Sequence, residues 1–151
     1  MEGLNIRQAE ERDLGAILGL VKELALYEKA PEQVTATLED YKKNFREGVF
    51  EALVAEKDGE VVGMTLYYLT WSTWRGRMLY LDDFVVKSTM RGLGIGQVLF
   101  DALVQKAREM DCFLLKWQVL DWNEPAIKFY EKNEAIIEKE WWNGKIFLKD
   151  A

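Results

Sequence analysis

The segment Arg91-Gly92-Leu93-Gly94-Ile95-Gly96 constrains the fold more than any other part of this chain. It follows the apolar run Met78 to Val86 and opens the longest helical pattern, Gly92 to Met110, whose Ile95, Val98, Leu99, Ala102, Leu103 and Met110 share one face. A further apolar run, Phe113 to Leu120, comes after that helix. Strand, glycine turn, helix and strand in this order predict a crossover between parallel neighbours. Glycines in such a turn accept positive φ and let the backbone approach a ligand. The free N–H groups of the first helical turn favour an anion such as a pyrophosphate, and Arg91 adds a forked cation. Two familiar phosphate loops do not fit. The P-loop would need a Lys and a Ser or Thr that are missing, and the dinucleotide pattern would need glycine where Gln97 stands. The pattern present is Arg-x-x-Gly-x-Gly, read on Arg91, Gly94 and Gly96.

The remaining elements follow from periodicity. Leu4 to Ala9 alternates apolar and polar, as a half-buried strand does. Asp13 is expected to cap a helix carrying Leu14, Ile17, Leu18, Val21, Leu24 and Ala25 on one face. Thr37 with Asp40 three residues on predicts a capped second helix after the break at Pro31. Phe50 to Glu56 and Glu60 to Thr70, joined through Asp58-Gly59, predict a hairpin. Asn123 caps a short helix with Pro125 in its first turn. Ala135 to Trp142 and Lys145 to Lys149 predict a second hairpin across Asn143-Gly144. The order β-α-α-β-β-β-α-β-α-β-β gives a mixed, mostly antiparallel α/β sheet of about seven strands covered by about four helices, read as a single domain over residues 1–151.

Composition removes several chemistries. The chain has no histidine, which excludes Ser-His-Asp and Cys-His catalysis and imidazole metal sites. Its formal charge is −6 without a basic stripe, so no nucleic-acid partner is expected, while cationic substrates can be steered to it. No apolar run reaches the roughly 20 residues that span a bilayer, and no signal peptide is evident at the N-terminus. With the single Cys112, these features predict a cytoplasmic protein without a membrane partner or a metal.

The stretch Asn123-Glu124-Pro125-Ala126-Ile127-Lys128-Phe129-Tyr130 carries a second constellation, with Ala126 and Tyr130 one helical turn apart. Together with the Arg91–Gly96 loop and the element order, it resembles the GNAT N-acetyltransferase superfamily along the whole chain. That resemblance implies acetyl-CoA as the acetyl donor. It places the cofactor on strand residues Phe84, Val85 and Val86, on Arg91, Gly92, Leu93, Gly94, Ile95, Gly96 and Gln97, and on Asn123, Pro125, Ala126 and Tyr130. Tyr130 would act as the acid that protonates the departing thiolate, a feasible transfer given pKa values near ~8.5 for a thiol and ~10 for tyrosine. A backbone N–H at or near Phe84 would serve the developing oxyanion.

The incoming amine is protonated at neutral pH and must lose a proton. Asp82 and Asp83 stand in the apolar run Leu79-Tyr80-Leu81-Asp82-Asp83-Phe84, and strand alternation puts only Asp82 on the face of Tyr80 and Phe84. A carboxylate is costly to bury in such a run, which marks Asp82 as the candidate base. More closely, the chain is similar to the spermidine/spermine and thialysine N-acetyltransferases, on Lys22 to Glu28, Tyr67-Tyr68, Trp74, Leu79 to Phe84 and Trp122 to Pro125. This implies Tyr27, Glu28, Trp74 and Asp82 around a small amine substrate, and a homodimer. Two departures separate it from the polyamine enzymes: Asp82 stands where they carry Glu, and Trp71-Ser72-Thr73 replaces an acidic residue ahead of Trp74. A lysine-like amino acid or short diamine therefore stays open beside spermidine. The alternatives are acetylation of a protein lysine or N-terminus, and a non-catalytic acyl-CoA-binding module.

Overall fold

Residues 1–149 are described by the computed structural model, in two units that divide after Trp117. The first unit is a five-stranded sheet in the order β1-β2-β3-β4-β5. Its strands are β1 (Leu4–Gln8), β2 (Glu51–Lys57), β3 (Glu60–Ser72), β4 (Gly76–Val86) and β5 (Leu114–Trp117). The first four pair antiparallel, and β5 runs parallel to β4 through the predicted crossover. Helices α1 (Leu14–Tyr27) and α2 (Leu38–Arg46) lie between β1 and β2 in sequence, and α3 (Ile95–Glu109) links β4 to β5.

The core beneath α1 joins Leu14, Ile17 and Leu20 to Ala52, Val54, Met64, Leu66 and Val85, with Tyr41, Phe45 and Phe50 packed on its margin. The other sheet face meets α3, where Phe84 stacks on Phe100 at 5.9 Å. Leu99 and Leu103 of α3 are fully buried.

Local signals behave as expected at Thr37, whose Oγ1 accepts from the Asp40 N–H at 3.1 Å while Asp40 accepts from the Thr37 N–H at 2.8 Å. Asp13 differs. It does not cap α1; its carboxylate takes two N–H groups of Arg7 at 2.8 and 2.9 Å and the Glu10 N–H at 2.7 Å. A 3₁₀ turn over Glu11–Asp13 precedes the helix, so Asp13 closes that turn instead of opening α1. Arg7 beside it holds the Asp13 carboxyl below the usual carboxylate range.

The second unit, from Gln118 on, contains α4 (Glu124–Lys132). The expected hairpin over 135–149 is not formed, so the described residues hold five strands where about seven were expected. Ile136, Trp141, Trp142, Ile146 and Leu148 are all exposed there. A two-stranded hairpin is marginal by itself, and this stretch has no ladder partner among the described residues.

Candidate active site

Strand β4 holds the centre of the site, and its register explains the geometry. Leu66 of β3 stands opposite Asp83, but the next residue, Tyr67, stands opposite Leu81. Asp82 is therefore an extra residue, a β-bulge. Cross-strand partners share a face, so Tyr80 with Tyr68, Asp83 with Leu66 and Val85 with Met64 lie on the α1 side. Phe84 with Thr65 and Leu81 with Tyr67 lie on the α3 side. Simple alternation would have put Tyr80 and Phe84 together. The inserted residue separates them and brings both carboxylates to one cleft.

That cleft, about 190 Å³, is lined by Tyr41, Val49, Phe50, Leu66, Tyr68, Asp82 and Asp83. The Tyr68 hydroxyl donates to Asp82 Oδ1 at 3.1 Å, and the Tyr68 and Tyr80 rings stack at 5.4 Å. Asp82 is exposed, whereas Asp83 is half-buried. Burial pushes the Asp83 carboxyl up to about 7, helped by the charges of Asp82 and Glu28. Burial also raises Glu28, and it pushes the Tyr41 hydroxyl up to about 12 with help from both aspartates. The buried carboxyl is thus Asp83, which alternation had assigned to the wrong face. The bulge that decides this has no signature in the sequence.

The bulge also marks where β5 departs. Parallel pairing covers Met78–Leu81 against Leu114–Trp117, and within the first unit β4 from Asp82 to Val86 pairs only with β3. Bulged strands bend and twist more strongly, which peels β4 away from β5. Alternate backbone N–H and C=O groups of Phe84, Val85 and Val86 thereby face an edge that β5 leaves open.

The glycine turn follows directly. Gly92 and Gly94 have φ of +78° and +83°, and a Cβ on either would project into open space. Gly94 caps α3 without a side chain, and the first turn carries no acidic residue. The N–H groups of Ile95 and Gly96, at the first turn of α3, are left without intrahelical acceptors. At Gly96 a Cβ would sit 3.7 Å from both Phe84 and Val86, which seats the helix start against β4. Leu93 is exposed on the turn, and the Arg91 guanidinium lies 5.7 Å from the centroid of the Tyr27 ring. An open cradle of glycines, free N–H groups and one arginine fits the diphosphate of a coenzyme A donor.

In the second unit, Asn123 Oδ1 accepts from the Ala126 N–H at 3.3 Å, as expected of the α4 cap, and Pro125 sits in the first turn. Tyr130 is buried, with Phe129 edge-on at 5.6 Å. Of the residues expected around the amine, Asp82 lines the cleft and Glu28 acts on Asp83 from the end of α1. Tyr27 turns toward Arg91 instead. Trp74 sits at the β3–β4 hairpin tip, 89% exposed. The six residue steps of β4 from nearby Gly76 to Asp82 span about 20 Å, so Trp74 does not reach the cleft of its own chain. Among the described residues no group of His, Cys, Asp and Glu is placed to hold a metal ion, and no helix is long and apolar enough to cross a membrane.

This fold and this glycine cradle define an acetyltransferase. The chain belongs to the acetyltransferase (GNAT) family, whose profile spans residues 16–134. It is 41% identical over 158 residues to a thialysine N-epsilon-acetyltransferase of Bos taurus, covering 97% of this chain and 93% of that one. It is 33% identical to the human spermidine/spermine N(1)-acetyltransferase-like protein 1, covering 95% of this chain and 22% of that one. Among solved structures, an aminoglycoside acetyltransferase from an uncultured soil sample superposes with a TM-score of 0.81 at 21% identity, covering 97% of each chain.

Proposed function

We propose that this chain, as one acetyltransferase domain over residues 1–151, moves an acetyl group from acetyl-CoA onto a primary amine of a small cationic substrate. The observation that carries the reading is the cleft where Asp82 and Asp83 meet Tyr41, Phe50 and Tyr68 beside the glycine turn's own strand. Carboxylates suit ammonium groups, and aromatic faces add cation–π contact along an aliphatic chain. The similarity to thialysine and spermidine/spermine enzymes supports a lysine-like amino acid or a short polyamine as substrate.

In this reading the amine attacks directly within a ternary complex, and acetyl-CoA supplies the activated acetyl thioester. Arg91 and the N–H groups of Gly92, Leu93, Gly94, Ile95, Gly96 and Gln97 hold the diphosphate. The strand backbone of Phe84, Val85 and Val86 holds the pantetheine arm, and Phe84 or a neighbour offers an N–H to the developing oxyanion. The likeness to the acetyltransferase family supports Asn123, Pro125 and Ala126 as further contacts for the donor. Asp82 accepts the ammonium proton, itself or through water, with Tyr68 fixing its carboxylate. Tyr130 supplies the proton for the leaving sulfur. The likeness to the polyamine enzymes also supports a cytoplasmic homodimer, in which exposed Trp74 serves the cleft of a second copy.

Thiol release from acetyl-CoA tests this with spermidine, a short diamine, thialysine and lysine, for the wild type and Tyr130→Phe. One amine should turn over, and Tyr130→Phe should slow it at least about tenfold at neutral pH. Turnover on peptides but on none of these amines would move the assignment to protein acceptors.

A further inference from the structure

The last residue of α1 faces the donor loop and not the amine cleft. Tyr27 is 40% exposed and takes no part in lining the cleft, yet the Arg91 guanidinium lies over its ring, 5.7 Å from the centroid. Sixty-four positions separate the two residues in sequence. Among the described residues Arg91 makes no ion pair and no side-chain hydrogen bond, and its guanidinium is held over the Tyr27 ring. Arg91 leads into the glycine turn in extended backbone, with φ −73° and ψ 156°.

An aromatic face does something here that a carboxylate could not. A carboxylate would bind the N–H fork and cancel the charge, leaving less for a phosphate. A ring attracts the cation electrostatically through its π-face, and leaves the guanidinium positively charged with its N–H donors uncommitted. Freezing a long, flexible arginine before binding also lowers the ordering cost that binding would otherwise meet. We infer that Tyr27 is a positioning residue for the donor, holding Arg91 ready for the diphosphate of coenzyme A; this rests on the acetyl-CoA reading above. Its neighbour Glu28 acts electrostatically on Asp83. The end of α1 thus serves donor loop and amine cleft with consecutive residues.

Calorimetric titration of the intact protein with coenzyme A and, separately, with pantetheine, which lacks the phosphates, tests the inference. Tyr27→Leu should weaken coenzyme A about threefold to fivefold, Tyr27→Phe should bind like the wild type, and pantetheine should not distinguish the three. Tyr27→Leu should lose nothing further when combined with Arg91→Ala. With one amine under turnover, the KM for the amine should stay within about twofold of wild type. Unchanged coenzyme A affinity in Tyr27→Leu would overturn the inference. So would an equal loss for pantetheine, a loss in Tyr27→Phe matching that in Tyr27→Leu, or an effect confined to the amine KM. Failure of the wild type to bind coenzyme A at all would instead remove the acetyl-CoA reading itself.

Discussion

Two adjacent aspartates on β4 occupy different physical environments, and the difference can be measured. The Asp83 carboxyl, pushed up to about 7, keeps its proton in the folded protein over a range where the unfolded chain has already lost it. From the ordinary value of 3.8 up to about 7 the folded state therefore binds more protons, and stability falls as pH rises through that window. Asp83→Asn removes the dependence. Its thermal midpoint should exceed that of the wild type by about 2–4 °C at pH 8, corresponding to on the order of 1 kcal/mol once the open cleft is allowed for, and the gain should vanish near pH 4. A variant no more stable at pH 8 than at pH 4, relative to wild type, would refute a raised Asp83. At this scale the sequence reading reached Asp82 because a charge interrupting an apolar run is conspicuous. It misjudged Asp83 because face assignment relies on strict alternation. It likewise could not see that Tyr27 meets Arg91, since nothing local in either residue marks a contact across so many positions.

Elements with a local chemical signal were legible. The capping pair Thr37 and Asp40 is an instance, since both partners lie within one turn and their reciprocal hydrogen bonds need no tertiary help. Thr37→Ala should lower unfolding stability by about 1 kcal/mol in a denaturant titration without affecting coenzyme A affinity. The glycine turn and α3 were legible for a similar reason: positive φ at Gly92 and Gly94 demands glycine wherever the rest of the chain goes. Asp13 shows the opposite case. Its residue type suits a cap, but Arg7 on β1 offers a forked cation, and a charge-assisted pair outcompetes a helix N–H. The terminal hairpin failed differently. Apolar runs and an Asn-Gly turn specify a hairpin only where a neighbouring edge completes the ladder, and sequence periodicity does not say where that edge is.

At the scale of the molecule, a net charge of −6 gathers cations without contributing to fold, and the order of elements up to β5 and α4 could be read in advance. Assembly is proposed from family likeness alone. Sedimentation velocity is expected to show a species of two 17.6 kDa chains, and Trp74→Ala should raise the amine KM severalfold while leaving coenzyme A affinity alone. A monomer with full activity would sink the shared-cleft arrangement. The extra residue at Asp82 has a practical consequence for redesign. Because it shifts the parity of β4 by one, Asp83 faces the same side as Leu66 and Tyr68, while Phe84 and Val86 remain committed to the start of α3. A combinatorial library at Tyr41, Phe50, Tyr68 and Asp83 can therefore explore new acceptors while the residues that seat α3 stay fixed, so that one strand becomes a boundary between a part to be varied and a part to be left alone.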